Sequence, residues 1–217
     1  MDPRYVRQAD IVNQEALRRL KFDVIGVGAI GRQVALQLAT MGAVHVTLTD
    51  FDTVETVNMG AQGFRPEHLG WPKVQAVATD MRQINPHIEV VEHNDRYTKS
   101  QRLGNVVFSC TDSMSVRRLI YDAICETEPD VDLLLDSRMA AELFELYSVI
   151  SFPDVGYPNT LFSDTDAFQA SCTSKTTFYC ASAAASFMVA HMVKWLRKCS
   201  IDARLSCNLL SMDLFKD

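Results

Sequence analysis

Residues 22–52 read FDVIGVGAIGRQVALQLATMGAVHVTLTDFD, and this stretch decides the fold. An apolar strand enters a turn with Gly26, Gly28 and Gly31 in the spacing GxGxxG, and an amphipathic helix and a second strand follow. Glycines at this spacing let the backbone approach a phosphate closely, and the N-terminus of the helix favours an anion. Asp50, 24 residues after Gly26, stands where a ribose-binding acid is expected. The stretch predicts a nucleotide site, with a purely structural turn as the alternative.

Length and composition favour a single domain. The 217 residues, 47% of them apolar, are enough for one large packed core. A formal net charge of −6 gives no general attraction to nucleic acid or to an anionic membrane, so neither is expected as a partner. The first 21 residues are too polar for a signal peptide, and the apolar run at residues 178–193 is too short to span a membrane.

The six cysteines are scattered along the chain and form no CxxC pair. This spacing indicates neither a zinc site nor a disulfide framework. Reduced thiols fit a reducing compartment, so we expect the protein to be cytoplasmic.

Strands and helices alternate along the first 137 residues. Further strands are predicted at residues 88–91, 105–109 and 131–137, and helices after Pro72 and near Ser115. This alternation predicts an α/β fold, a Rossmann-like, doubly wound, mostly parallel sheet. Residues 58–70 are rich in Gly, Asn and Pro and are predicted to form a loop.

The C-terminal third completes the predicted domain. Its elements are a strand at residues 142–152, an irregular connection at 153–169 that could act as a mobile lid, a largely buried helix at 176–198 and a closing strand at 201–212. We expect one domain over residues 1–217, with an N-terminal arm at 1–21, a nucleotide-binding core at 22–137 and a crossover part at 138–217.

Charged and amide side chains should gather at one edge of this sheet, because parallel strands end at the same edge. They are Arg32, Asp50, Asp52, Asn58, Lys73, Asp112 and Arg117, with Arg7 from the arm. A second acid beside the ribose-binding one suits a phosphate-bound Mg²⁺, and the cationic residues can neutralise a triphosphate. The set favours ATP with Mg²⁺ over a dinucleotide. An NAD-dependent oxidoreductase is the minor alternative, although none of the five histidines stands at a predicted strand end.

Short motifs follow one another in a fixed order over about the first 140 residues. They are RYVRQ at residues 4–8, GVGAIG at 26–31, DFDTVETVN at 50–58, GWPK at 70–73, INP at 84–86, CTDS at 110–113 and then Arg117. In this order the chain resembles the ThiF/MoeB family of ubiquitin-activating-enzyme-like adenylyltransferases. Each motif is weak alone, and RYVRQ by itself would indicate only a solvated helix end.

The resemblance implies a role for each matching residue. In that family the acid at the position of Asp50 holds the ribose, and the residues at Asn58 and Lys73 contact the phosphates. The acid at Asp112 serves Mg²⁺ and the phosphates, and an arm arginine at Arg7 also reaches a phosphate.

The resemblance also implies a reaction and partners. The C-terminal glycine carboxylate of a small ubiquitin-like or sulfur-carrier protein attacks the α-phosphate of ATP, which gives an acyl-adenylate and pyrophosphate. Residues 138–217 would then include the carrier-binding part, and the protein would be a homodimer.

Three features depart from the family pattern. An arginine finger often follows the asparagine by three residues, but this chain has Ala61, with Arg65 as the nearest replacement. The paired CxxC zinc site is absent, and no rhodanese or ubiquitin-fold segment is recognisable in the sequence. The lost arginine leaves open a second interpretation, a catalytically inactive scaffold subunit of a heterodimer.

Cys172 lies in SCTSK at residues 171–175, just before the long helix. Relatives that form a covalent link to their carrier place a reactive cysteine there. A helix N-terminus beside Lys175 favours the thiolate. The alternative is a small buried apolar residue, like the other cysteines of this region.

Overall fold

Within the described residues, eight strands form one sheet. The computed structural model describes residues 2–128, 130–163 and 176–217. The strands are β1 Lys21–Ile25, β2 His45–Thr49, β3 Glu89–His93, β4 Val106–Ser109, β5 Leu133–Ala140, β6 Leu143–Val149, β7 Arg204–Asn208 and β8 Asp213–Lys216. Their order across the sheet is β3-β2-β1-β4-β5-β6-β7-β8. The first five strands pair in parallel and the last three antiparallel, which confirms the predicted α/β fold.

Helices cover both faces of this sheet. They are α1 Gln14–Arg19, α2 Ala29–Met41, α3 Thr56–Gln62, α4 Lys73–Ile84, α5 Met114–Thr127 and α6 Phe178–Leu196, with 3₁₀ turns at Pro3–Gln8, Pro66–His68 and Tyr157–Thr160. One apolar core joins α2, α4 and α6 to the sheet through Leu38, Met81 and Met188. A second core holds α5 against the opposite face through Ile120 and Ile124. No helix in the described ranges is both long and apolar enough to cross a membrane.

The prediction of a loop over residues 58–70 is wrong at its start, because α3 occupies residues 56–62. The side chain of Glu55 accepts the Asn58 N–H, and the side chain of Asn58 accepts the Glu55 N–H at 2.9 Å. Gly63, with φ of 75°, then ends the helix in the left-handed conformation. These two caps stabilise a short helix whose composition alone suggests a loop.

The C-terminal region contains the predicted buried helix, α6, and a hairpin. The single closing strand predicted at residues 201–212 is instead β7 followed by β8, with Met212 at φ of 60° in the turn between them. β7 pairs with β6, so the hairpin extends the sheet at one edge. Of the irregular connection predicted at residues 153–169, the part from 164 onward lies outside the described residues.

The N-terminal arm packs against its own chain. Tyr5 is buried on Gly42, the residue that ends α2, where a Cβ atom would lie 2.7 Å from Cζ of the tyrosine ring. The side-chain amides of Gln8 and Gln14 both donate to the carbonyl of Met41. The arm therefore needs no second subunit to pack against, and its position gives no support for a homodimer.

Asp23 is a buried carboxylate in the middle of β1. The Gly104 N–H donates to its Oδ2 atom at 2.6 Å. Burial raises the pKa of Asp23 to about 7, although the Gly104 N–H lowers it. The folded chain therefore binds this proton more tightly than the unfolded chain, in which an aspartate has a pKa of about 3.9. The stabilisation is complete only below about pH 4 and is lost as the pH rises through 7.

We predict that Asp23→Asn removes this pH dependence. The free energy of unfolding of the variant, relative to wild type, should rise by on the order of 2 kcal/mol between about pH 5 and about pH 8. Urea denaturation at the two pH values measures it. Asp130→Asn, on an exposed turn, is the control and should show no such rise. A relative stability that is the same at both pH values would show that Asp23 ionises as it does in the unfolded chain.

Candidate functional site

A cavity of about 720 Å³ opens at the carboxyl edge of the parallel strands. Its size is within the usual range of small-molecule sites, roughly 300–1,000 Å³. Residues at the ends of four strands line it, including Gly26 after β1, Asp50 after β2, Asp112 after β4 and Arg138 in β5. β2 and β4 flank β1, so the strand order reverses here. Open α/β sheets bind ligands at such a point.

The glycine turn between β1 and α2 packs tightly against its neighbours. Gly26 has φ of 86°, and a Cβ atom on it would lie 2.8 Å from the backbone of Cys110 and Thr111. A Cβ atom on Gly31 would lie 1.8 Å from the carbonyl oxygen of Gly26. The turn therefore brings the N-terminus of α2 to the cavity, where its free N–H groups suit an anion.

Asp50 holds this turn against the end of β2. Its Oδ2 atom accepts the Val27 N–H at 2.7 Å, and its Oδ1 atom accepts the Asp52 N–H at 2.9 Å. Burial raises the pKa of Asp50, while these two N–H groups and the Lys73 ammonium lower it. Each oxygen keeps a further lone pair, so Asp50 can still accept a hydrogen bond from a hydroxyl group of a ligand in the cavity.

Lys73 is a buried cation in the cavity wall. Only 5% of the residue is exposed, and its Nζ atom lies 2.8 Å from Oδ2 of Asp52. The Lys73 N–H also donates to the Asp52 carbonyl at 2.9 Å, which anchors the start of α4 beside the end of β2. In this arrangement Asp52 contacts Lys73, and its side chain is about half exposed.

Helix α3 brings two amide side chains to the cavity, Asn58 and Gln62. Because the Asn58 oxygen caps the helix, its amide nitrogen remains as the donor. The Gln62 oxygen lies 3.6 Å from the position of a Cβ atom on Gly28, and it is buried without a hydrogen-bond partner in the described chain. The sequence analysis did not identify Gln62, because it placed this segment in a loop.

The end of β4 carries an exposed carboxylate, Asp112, in the cavity wall. Arg117, one turn into α5, is buried and donates to the carbonyl oxygens of Thr111 and Ser137, the latter at 3.1 Å. Burial lowers the pKa of Arg117 to about 10, so it remains charged at neutral pH. Arg117 thus ties the end of β4 to β5.

Two predicted phosphate-binding arginines do not line the cavity in the described structure. Arg32 forms a buried ion pair with Asp80 at 2.8 Å, and its guanidinium lies over the Phe64 ring. Arg7 is exposed on the arm. Arg65, the nearest replacement for the arginine missing at position 61, pairs with the same Asp80 at 2.6 Å. Asp80 thereby keeps two guanidinium groups away from the cavity wall.

The structure adds cavity residues that the sequence analysis missed. After β3, Arg96 lies with its guanidinium 3.8 Å from the centre of the Phe51 ring, and both line the cavity. Arg138 also lines it, and the fully buried carboxylate of Asp136 accepts its Nε–H at 3.0 Å. Their positions at strand ends were the available signal. Cys172 lies outside the described residues.

The residues at the cavity fit a nucleotide that carries its own magnesium ion. In the described ranges, no group of three or more His, Cys, Asp or Glu side chains could hold a metal by itself. Mg²⁺ is usually bound by one or two carboxylates together with substrate phosphates. The exposed carboxylate of Asp112, close to the glycine turn, suits that arrangement. Asp50 and Lys73 supply an acceptor for a hydroxyl group and a charge for a phosphate.

Comparison with known proteins gives a family match over nearly the whole chain. A model described as the ThiF family matches residues 4–217. The chain is 34% identical over 128 residues to the molybdopterin-synthase adenylyltransferase of Salmonella typhimurium, covering 56% of this chain and 51% of that protein. It is 31% identical over 137 residues to ubiquitin-like modifier-activating enzyme 5 of Branchiostoma floridae, covering 55% and 34%. The match thus spans about a third to a half of the length of these curated relatives.

Solved structures share the fold at lower sequence identity. Escherichia coli MccB, solved with ATP, superposes with a TM-score of 0.80 and 15% identity over 100% of this chain and 71% of that one. Selenomethionine PaaA superposes with a TM-score of 0.79 and 18% identity, over 99% of this chain and 72% of that one. At these identities the similarity shows the fold alone.

We predict that Gly31→Ala disrupts the turn. Its Cβ atom would lie 1.8 Å from the Gly26 carbonyl oxygen, so the backbone must shift, at a cost of about 2 kcal/mol or more in the free energy of unfolding. Gly60→Ala, on exposed α3, meets nothing within 4 Å and should be neutral or slightly stabilising. Chemical denaturation of both variants measures the difference. Equal stabilities would show that the turn tolerates a side chain.

Proposed function

This chain belongs to the ThiF family, and from that premise we propose that it is an ATP-dependent adenylyltransferase. Its substrate is the C-terminal glycine carboxylate of a small ubiquitin-like or sulfur-carrier protein. One observation carries the proposal: the glycine turn, Asp50, Lys73 and Asp112 meet around one cavity at the point where the strand order reverses. The two curated relatives named above, an adenylyltransferase and an activating enzyme, support it.

We assign the ribose and the phosphates of ATP to groups in the nucleotide half of the cavity. The glycine turn and the N-terminus of α2 bind the phosphates, and Asp50 accepts a hydrogen bond from a ribose hydroxyl group. Lys73 exchanges its contact with Asp52 for a phosphate oxygen, and the Asn58 amide donates to the phosphates from α3. Asp112, together with the phosphates, would hold a Mg²⁺ ion, which would supply neutralisation of the phosphate charge.

The chemical step transfers an adenylyl group. A carboxylate oxygen of the carrier bonds to the α-phosphorus of ATP, the bond from that phosphorus to the bridging oxygen breaks, and pyrophosphate leaves with the electron pair. No general base is needed, because a C-terminal carboxylate, with a pKa near 3.5, is already ionised at neutral pH. The protein's contribution is therefore to position two anions and to neutralise their charge.

Two alternatives make different predictions. An inactive scaffold subunit, suggested by Ala61, would keep the fold without the reaction. Against it, Asp50, Lys73 and Asp112 are all present in the cavity wall. An NAD-dependent oxidoreductase would need a His or Tyr proton donor beside the nicotinamide. None of the five histidines lines the cavity, and the tyrosine in the described wall, Tyr97, is only 5% exposed. A homodimer stays a prediction.

Pyrophosphate exchange tests the proposed activity. Purified protein, Mg-ATP and labelled pyrophosphate are incubated with each small protein from the same source that ends in Gly-Gly, and formation of labelled ATP is measured. Exchange that depends on one such carrier, and that stops when its terminal glycine is removed, is the expected result. Mg-ATP binding by calorimetry without any exchange would support the scaffold, and preferential binding of NAD would support the oxidoreductase.

We predict that Lys73→Ala and Asp112→Asn each slow the exchange about a hundredfold, because each removes a charge that balances the phosphates in the transition state. Folding should change little, since the partner of Lys73, Asp52, is half exposed. Lys99→Ala, which breaks an ion pair with Glu126 outside the cavity, is the control and should retain activity. Full exchange activity in either test variant would place the ATP site elsewhere.

We further propose that Cys172 accepts the activated acyl group after adenylation. Its thiolate attacks the acyl-adenylate carbonyl, forms a thioester and releases AMP. We predict that Cys172→Ala leaves pyrophosphate exchange nearly unchanged but abolishes a thiol-sensitive adduct with the carrier on a non-reducing gel. Cys125→Ala, which removes an exposed thiol on α5, is the matched control and should keep the adduct. An adduct that survives Cys172→Ala would assign the acceptor to another residue.

A further inference from the structure

Four cationic side chains line the cavity in the described part of the chain: Lys73, Arg96, Arg117 and Arg138. The reaction proposed above brings a carboxylate against a phosphate, so two anions must approach each other in a partly dry site. A fixed cation beside the incoming carboxylate would offset that repulsion. The four side chains differ in whether their existing contacts leave a donor group available for that carboxylate.

Two of them serve the nucleotide end of the cavity. The Lys73 ammonium lies 2.8 Å from Asp52 at the end of β2. Arg96 lies over the Phe51 ring, on the segment that follows β3. Because β2 and β3 form the edge of the sheet furthest from β5, these two charges lie on the ribose side of the cavity.

Arg117 supports the backbone. Its guanidinium donates to the carbonyl oxygens of Thr111 and Ser137 and forms an ion pair with the buried carboxylate of Asp136. The residue is only 3% exposed, which leaves it little surface for a ligand. Its main contribution is to hold the ends of β4 and β5 at a fixed distance.

Arg138 lies on β5 and lines the cavity. Met139, Leu143 and Phe162 add apolar surface to the wall in the same part of the chain. Contacts with Asp136 and Thr160 fix its guanidinium: Nε donates to Asp136 at 3.0 Å, Nη1 to the Thr160 carbonyl at 2.7 Å, and Nη2 to the Thr160 hydroxyl at 2.9 Å.

These contacts leave Arg138 both rigid and able to bind. Its Nη2 atom also lies 2.9 Å from Asp136, and the guanidinium stacks 4.3 Å from the centre of the Tyr147 ring. These bonds use four of the five N–H groups of Arg138, which leaves one on Nη1 as a donor beside the Tyr157 side chain. Asp136 lies between Arg117 and Arg138, whereas Glu145, which faces Arg138 across the strand pair and also lines the cavity, pairs with Arg204 at 2.5 Å.

We propose that Arg138 binds the C-terminal carboxylate of the carrier and holds it against the α-phosphate. The proposal rests on the proposed function and assigns a substrate-binding residue to the acyl side of the same site. The remaining N–H donates to a carboxylate oxygen, and after adenylation to the carbonyl oxygen of the acyl group. A fixed guanidinium provides this charge with little reorganisation when the substrate arrives. The apolar wall beyond Arg138 receives the preceding residues of the carrier tail.

Two small ligands test the assignment of Arg138, and the carrier protein does not need to be known. AMP occupies only the nucleotide half, whereas 5′-O-[N-(glycylglycyl)sulfamoyl]adenosine, a stable mimic of the acyl-adenylate, also places an acyl carbonyl beside Arg138. Calorimetry gives the dissociation constant of each. We expect Arg138→Gln to weaken the acyl mimic between about tenfold and a hundredfold, the usual range for losing a charged hydrogen bond, and to change AMP less than twofold. Arg138→Lys keeps the positive charge but loses the planar, forked guanidinium group. We expect its dissociation constant for the acyl mimic to lie between those of the wild type and Arg138→Gln.

Arg118→Gln is the matched control for a structural effect. Arg118 fastens the same segment as Arg138, because it donates to the carbonyl oxygens of Pro158 at 3.4 Å and Leu161 at 2.9 Å. It does not belong to the cavity wall as the structure describes it. Its loss should leave both dissociation constants unchanged, even if it lowers the melting temperature as much as Arg138→Gln does.

The outcomes separate this proposal from the function on which it rests. Wild-type protein that binds neither ligand would overturn the proposed function. Suppose instead that the wild-type protein binds both ligands and that Arg138→Gln weakens AMP and the acyl mimic equally, or weakens neither. The proposed adenylation would then stand, and the assignment of Arg138 would be overturned. The same holds if Arg118→Gln reproduces the selective loss, because the effect would then come from the Tyr157–Thr160 segment.

Discussion

The close contact between the glycine turn and the end of β4 is the constraint on which the site depends. No Cβ atom fits at Gly26 or Gly31, because backbone atoms of Cys110 and Thr111, directly after β4, and of the turn itself fill those positions. Asp50 then fastens the turn to β2 through the Val27 N–H. Three strands are thereby held at one point, and α2 starts beside the cavity with its N–H groups directed outward. Loss of this contact would separate the groups assigned to the phosphates from those assigned to the ribose.

Ion pairing determines which cations reach the cavity. Asp80 holds the buried Arg32 and the partly exposed Arg65 away from the wall, whereas Asp52 holds Lys73 within it. Desolvation makes an unpaired buried charge costly, and Arg32, Lys73 and Arg117, the buried cations in the described ranges, each lie beside a carboxylate. The position of that carboxylate decides whether the cation can meet a ligand. On the acyl side Asp136 forms ion pairs with two arginines at once, Arg117 and Arg138.

The antiparallel extension of the sheet divides the cavity into two halves with different surfaces. Parallel strands β1, β2 and β4 supply polar side chains at their ends, which suit a nucleotide. The β5–β6 pair supplies Met139, Leu143 and the Arg138 guanidinium, which suit an extended peptide tail that ends in a carboxylate. Because β5 belongs to both the parallel and the antiparallel part, the two halves meet at its end, where an acyl group and an α-phosphate would come together.

The sequence by itself determined the parallel core, the glycine turn and most of the polar set at the strand ends, because these follow from local periodicity and from residue types at fixed spacing. It did not determine α3, where reciprocal capping between Glu55 and Asn58 outweighs a composition typical of loops. The sequence also did not show that Lys73 lies in the cavity wall and Arg32 outside it, since both are cations near a strand end. That difference depends on Asp80, which is 48 residues from Arg32 in sequence and within 3 Å of it only after α2 and α4 pack together. Tertiary structure alone brings such partners into contact, and with them it decides which charges a ligand can meet.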